Sequence, residues 1–446
     1  MKQRSIGYEL IRFYVKFAYW LTHKKIVVTG KHLIPKGKPI IFAPNHQNAL
    51  MDPLALICTN PNQTVWLARA DIFKSKIAEP ILKYLKLLPI YRIRDGKDNL
   101  TNNEQIFSQV IDILEKGQTI ALFPEAAHSA KNQMLPHKKA IPRIAFDAEE
   151  KNDFMLGLQI VPVGIFYSHY WAFNRTVIIQ YGEPIDVDRY KAKYEENQQT
   201  AMLSLRDKIY EKIYPLTLQI RSKANYQLYE DLRKMAGEVW SQTYFFSKNK
   251  PLQLYYAEKG LIEHLEETES KYPEPFAKIE TKYREYFSSL KRKRVNEEQL
   301  RQAKNARWKK LPMQFMAVLL SFPLFILGFI FNVVPFLIPQ LVFRRMVKDI
   351  AFLSTFHFVS GLIIFPLFYF AESYLVYVLT GSSTIALIGF ILMPFTGKYA
   401  YQLFEFYRNF VHQLSYLLSF GDKRKRIDEL LNLRNELIEL ATAKQN

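Results

Sequence analysis

In the stretch FAPNHQNALMD, residues 42–52, His46 and Asp52 stand six positions apart among small and amide side chains, after the apolar run KPIIFAP. A carboxylate bonded to one imidazole nitrogen fixes the tautomer and raises the basicity of the other nitrogen. That is the arrangement a general base needs to take a proton from a hydroxyl. Residues six apart on an unbroken helix are separated by about 240° of rotation, so the pair needs a turn. APNHQN after a strand supplies one, with a helix starting near Ala49 or Asp52. On spacing alone two readings stand: a catalytic pair, or a strand end and turn without chemistry.

Three further blocks follow in chain order. LPIYRIRDG (88–96) sets Arg92 and Arg94 just beyond an apolar run, ALFPEAAHS (121–129) ends a strand pattern with Glu125, and IVPVGIFY (160–167) is another strand pattern. Together the four blocks resemble the phospholipid/glycerol acyltransferase family over roughly residues 25–187. The resemblance implies His46 as general base, Asp52 as its orienting partner, Arg92 as a phosphate ligand, Glu125 as an acceptor-binding residue and Pro162 as part of the site wall. The family usually places four residues between the histidine and the aspartate. The five found here resemble the fungal glycerol-3-phosphate/dihydroxyacetone-phosphate branch. Ala126 stands where the family carries glycine, and alanine is poorer at entering positive φ.

Lys138, Lys139 and Arg143 in LPHKKAIPRIAF follow the third block, where a helix would present cations toward the same strand ends. Guanidinium matches phosphate bidentately and ammonium acts as a point charge. The implied reaction carries a fatty acyl group from acyl-CoA or acyl-carrier protein to a hydroxyl of glycerol 3-phosphate or a related glycerol phosphate, with no further cofactor. Acylation of a lysophospholipid such as 1-acylglycerol 3-phosphate is the alternative within the same chemistry. A catalytically inactive lipid-binding or scaffold protein is the alternative outside it. Ala126 favours that last reading, and the joint presence of His46, Asp52, Arg92 and Glu125 opposes it. His128 and His137 lack the spacing of metal ligands, so no metal site is expected.

The elements that must position these residues are legible in the wider pattern. From residue 25 to 187 the β-rich runs KIVVTG, KPIIFAP, TVWLARA, TIALFPE, GLQIVPVGIFY and TVIIQYGEPI alternate with helical stretches near 74–87, 102–116 and 138–150. This alternation predicts an α/β domain with a mainly buried sheet. Residues 1–24 read as an amphipathic, membrane-associated helix, with Ile6, Leu10, Phe13, Phe17 and Leu21 at helical spacing. Residues 188–310 form a charged helical segment, and residues 398–446 a basic helical tail. The net charge of +19 favours an anionic partner. Anionic lipid and a phosphorylated substrate account for it, and no basic and aromatic module for nucleic acid is present. Cys58 is the single cysteine, so no intrachain disulfide forms, and a reducing, cytoplasm-facing setting fits.

Between Leu311 and Phe343 no side chain is charged, and from Ile350 to Gly397 only Glu372 is. Both runs exceed the roughly 20 apolar residues that cross a bilayer, so residues 311–397 read as transmembrane or re-entrant helices. ARWKK, RRMVKD and KRKR flank the runs, which predicts that all three flanks and the catalytic domain face the cytoplasm. The second run then forms a hairpin turning near TGSST (380–384). The first, carrying Pro323 and Pro335, is expected to be broken or re-entrant. In a Cys58-free background, single Met346→Cys and Arg424→Cys variants should resist an impermeant thiol reagent on intact cells and react once the membrane is opened. Labelling of either position from outside overturns this topology.

Overall fold

The computed structural model describes residues 6–76, 78–91, 102–244, 249–347 and 352–444. They group into two compact units. The first comprises Met1–Gln219 with Phe343–Phe358, and the second Ile220–Val342 with Val359–Asn446.

The first unit is built on an eight-stranded sheet: β1 (His23–Thr29), β2 (Ile40–Pro44), β3 (Val65–Arg69), β4 (Leu87–Ile90), β5 (Thr119–Ala121), β6 (Gln159–Tyr167), β7 (Arg175–Tyr181) and β8 (Ile185–Asp186). The strand order is β1-β7-β6-β2-β5-β3-β4, with β8 pairing on β6. Only β6–β7 and β6–β8 are antiparallel. The other pairs are parallel. β2 lies between β5 and β6, and all five of its residues are buried. An unbroken apolar strand of this kind is what a sheet covered on both faces demands. Because β2, β5, β3 and β4 run in one direction, the segments leaving their carboxyl ends emerge along a single edge. In open α/β sheets ligands gather at that edge.

Helices α1 (Ile6–Thr22), α2 (Met51–Thr59), α3 (Ala78–Tyr84), α4 (Asn102–Glu115), α5 (Ala140–Lys151), α6 (Lys191–Glu196) and α7 (Gln198–Ile213) complete the unit. One core joins Ile41, Ala43 and Ile120 of the sheet to Val110 and Leu114 of α4, Ile144 and Ala148 of α5, and Leu205 and Ile209 of α7. The charged segment expected from residue 188 therefore begins inside this unit, because the apolar face of α7 completes its core. α1 buries Tyr8 and Tyr19, and Arg12 Nε donates to Ile57 O on α2 at 3.1 Å. Ile6, Leu10 and Phe13 on the same helix remain exposed.

The second unit is helical: α8 (Tyr226–Tyr244), α9 (Lys250–Lys271), α10 (Pro273–Lys293), α11 (Glu297–Asn305), α12 (Leu311–Met346), α13 (Leu353–Thr380), α14 (Ser383–Leu417) and α15 (Gly421–Thr442). α15 runs back along the earlier helices. Lys282 on α10 pairs with Glu436 at 2.8 Å, Lys293 with Glu429, and Arg434 with Glu297 of α11 at 2.7 Å. Among the described residues, three helices are long and apolar enough to cross a membrane, within Trp308–Val342, Leu353–Thr380 and Ser383–Leu417.

The first apolar run is one continuous helix that carries Pro323, Pro335 and Pro339, and is not the broken segment expected. Each proline removes one backbone donor, and the helix runs on through all three. The second run turns at Gly381–Ser382, and its second arm continues through Lys398 to Leu417, twenty residues past the expected boundary at 397.

Gly164 in β6 fixes the packing of the chain after α7. A Cβ there would lie 2.1 Å from Leu216 O and 2.6 Å from Leu216 C, both backbone atoms that cannot swing aside. Gly164→Ala should cost about 1–3 kcal/mol by overpacking. Calorimetry of the detergent-solubilised protein should show the first unit melting several degrees lower.

Candidate active site

β2 ends at Pro44, and the backbone then turns through Asn45–Leu50 into α2. Asn45 anchors the turn to β6: its amide nitrogen donates to Ile165 O at 3.1 Å, and its amide oxygen accepts from Ile165 N at 2.7 Å. Ala49 takes φ +41°, which bends the chain so that Asp52, in the first turn of α2, comes back beneath His46. Asp52 Oδ2 then lies 2.9 Å from His46 Nδ1 and accepts the N–H groups of Gln47 and Asn48, each at 2.7 Å. With Asp52 ionised, Nδ1 carries the proton and donates, leaving the Nε2 lone pair as a base. The ring is stacked on Phe123, with centroids 3.8 Å apart and planes inclined by 12°, and meets His128 edge-on at 5.4 Å.

Glu125 arrives from the carboxyl end of β5. Its Oε1 accepts the His46 N–H at 2.8 Å and its Oε2 the Leu135 N–H at 2.7 Å. Its side chain thus ties the histidine turn to the loop that leads to α5. Burial pushes the Glu125 carboxyl up to about 8, against the pull of those two N–H donors and with the help of the Asp52 charge. The next residue, Ala126, takes φ +56°, and its N–H donates to Phe123 O at 3.2 Å. The turn is therefore the one a glycine enters freely, held here by alanine at a strain of about 1–2 kcal/mol.

Arg92 lies outside the described residues. Tyr91 just before it is clamped by Asn103 of α4, whose Oδ1 accepts from Tyr91 N and whose Nδ2 donates to Tyr91 O, both at 2.9 Å. Tyr91 is thus held at the carboxyl end of β4. Lys138 and Lys139 are exposed where α5 begins, and the Lys138 N–H donates to Pro124 O at 2.7 Å, beside the Glu125 turn. Arg143 lies 3.7 Å from Asp147 and over the Phe107 ring of α4 at 5.0 Å. Its position one turn into α5 aims it at α4. Pro162 sits within β6 opposite Ala43, and Asn45 N donates to Val163 O at 3.2 Å. Among the described residues no group of three His, Cys, Asp or Glu side chains is arranged to hold a metal.

Several contributors carried no sequence signal. The Tyr170 hydroxyl bridges Gln47 Oε1 at 2.7 Å and Asn132 Oδ1 at 2.9 Å. Leu50 N donates to Thr355 Oγ1 at 3.2 Å, from a stretch about 300 residues downstream. Phe352 meets His128 edge-on at 4.8 Å.

Burial makes the pH dependence of Glu125 readable. A carboxyl whose pKa rises from 4.5 to about 8 on folding adds stability that is complete below pH 4.5 and is lost as pH climbs through 8. Glu125→Gln, which cannot titrate, should flatten the fall of the first unit's melting temperature across that window. An unchanged slope contradicts the assignment.

Comparison with known proteins places this edge in context. Residues 25–166 match the family model described as Acyltransferase. The chain is 23% identical over 215 residues to a 1-acyl-sn-glycerol-3-phosphate acyltransferase of Borreliella burgdorferi, covering 47% of this chain and 79% of that protein. It is 28% identical over 117 residues to glycerol-3-phosphate O-acyltransferase 2 of Saccharomyces cerevisiae, covering 26% of this chain and 16% of the yeast protein. The crystal structure of the 1-acyl-sn-glycerophosphate (LPA) acyltransferase PlsC from Thermotoga maritima aligns over 46% of this chain and 78% of its own, at 23% identity and a TM-score of 0.33.

Proposed function

Because residues 25–166 belong to the acyltransferase family, we propose that this protein transfers a fatty acyl group from an acyl thioester to a hydroxyl of a glycerol phosphate, in phospholipid synthesis at the cytoplasmic face of a membrane. The observation that carries the reading is the His46 imidazole, held by Asp52 at 2.9 Å with its other nitrogen left as a base. Nε2 takes the acceptor hydroxyl proton as that oxygen attacks the thioester carbonyl. The tetrahedral intermediate collapses, the C–S bond breaks, and the departing thiolate receives the proton from the imidazolium. Asp52 stabilises the imidazolium between the two steps.

Acceptor phosphate is assigned to Arg92, with Lys138 and Lys139 beside the Glu125 turn. Arg143, engaged with Asp147 and Phe107, is left out of that set. Glycerol 3-phosphate is the acceptor favoured by the five-residue spacing between His46 and Asp52. The second reading, acylation of 1-acylglycerol 3-phosphate, is favoured by the alignment that covers 79% of the Borreliella protein. The inactive-scaffold alternative loses its main support, since Ala126 keeps the backbone conformation that a glycine would take.

Mass spectrometry of products from purified protein, with acyl-CoA or acyl-carrier-protein donors crossed against glycerol 3-phosphate, dihydroxyacetone phosphate and lysophosphatidate, tests the reaction and separates the acceptors. Acylation with none of these pairs refutes the proposal. His46→Ala should lower kcat about 10²–10⁴-fold while the protein stays folded. Near-normal turnover in a folded His46→Ala preparation would remove His46 from the mechanism.

A further inference from the structure

The stretch between the two apolar runs groups with the sheet unit, and its contacts converge on the turn that carries His46. Leu50 is the N-cap of α2, and its side chain makes no capping bond. N–H donors at a helix start require an outside partner. Thr355 Oγ1 supplies it at 3.2 Å. A second junction forms at Tyr170 O, which accepts from Asn48 Nδ2 at 3.3 Å, from Ser354 Oγ at 2.6 Å and from Arg175 Nη1. Arg175 Nη1 also donates to Ser354 Oγ at 3.2 Å. Arg175 is 6% exposed, lies over the Tyr167 ring at 4.8 Å, and is close enough to feel the Asp52 charge.

These bonds reach the two peptide groups that matter most. Gln47 N and Asn48 N fix Asp52 Oδ2, and Asp52 aligns His46. Asn48 is held by its own side chain to Tyr170 O, and Gln47 by its side chain to the Tyr170 hydroxyl. Any shift of Leu50 or of Tyr170 is therefore passed to the Asp52–His46 bond. Catalytic geometry is sensitive on this scale, where a displacement of about 1 Å costs on the order of 10²-fold in rate.

We propose that Ser354 and Thr355 are positioning residues for the acyl transfer, bracing residues 47–50 so that Asp52 and His46 stay aligned. The acyltransferase fold of residues 25–187 is then incomplete as a catalyst without the first turn of α13. This inference rests on the reaction proposed above.

Its test uses the full chain in phospholipid nanodiscs, with Ser354→Ala and Thr355→Val singly and combined, and Ser354→Thr and Thr355→Ser as hydroxyl-retaining controls. Two readouts are taken: kcat and KM with the wild-type substrate pair, and amide hydrogen exchange. The double variant should lose about tenfold in kcat with less than about twofold change in either KM. Its exchange should quicken in residues 47–52 and not in α4 or α5. The hydroxyl-retaining variants should stay within about threefold of wild type. Unchanged exchange at residues 47–52, faster exchange throughout the unit, or loss of KM without loss of kcat each overturns the proposal. A wild type that acylates nothing defeats the proposed reaction, while the exchange arm still decides whether the brace exists.

Discussion

A single carboxylate oxygen organises the site. Asp52 Oδ2 receives the imidazole N–H of His46 and the backbone N–H groups of two successive residues. Three donors on one buried oxygen are affordable only if the carboxylate is ionised, because charge-assisted bonds offset its loss of water. The same bonds fold the chain. They close the turn after β2, set the start of α2 and fix the tautomer of the histidine. The geometry of the His46–Asp52 pair and the local backbone geometry are therefore one constraint.

The remainder of the first unit holds that turn from several directions. β6 grips it through Asn45, Glu125 grips the His46 N–H from the end of β5, and Phe123 presses on the ring face. Each grip comes from a neighbour of β2 in the sheet or from the loop that follows one. This explains why a central strand buried on both faces precedes the histidine: a fixed strand end leaves the turn little freedom to drift. Glu125, expected to bind the acceptor, also carries this structural load, so substitutions there disturb the histidine turn together with anything bound beside it.

How much of this could be read from the chain depended on the range of the interaction. The turn between His46 and Asp52 lies within six residues, and the strand and helix patterns around it are local, so their hydrophobic periods marked them. β4 is only four residues long and was passed over as an apolar run before Arg92. The orientation of Arg143 has no local signature, because it is set by the packing of α5 on α4, where the side chain meets Asp147 and the Phe107 ring. Ala126 showed a departure from glycine, while the φ it adopts is imposed by the Phe123–Glu125 turn. Ser354 and Thr355 were invisible: two hydroxyls in an apolar run carry no signal until the fold brings them to Leu50 and Tyr170.

The packing of the last helix ties the two ends of the apolar region together. α15 follows all three apolar helices, yet pairs with α10 and α11, which precede them, so the chain enters and leaves the apolar region at the same bundle. The charged helices on either side of the apolar region therefore form one body, and the ion pairs of Lys282, Lys293 and Arg434 hold its two ends together.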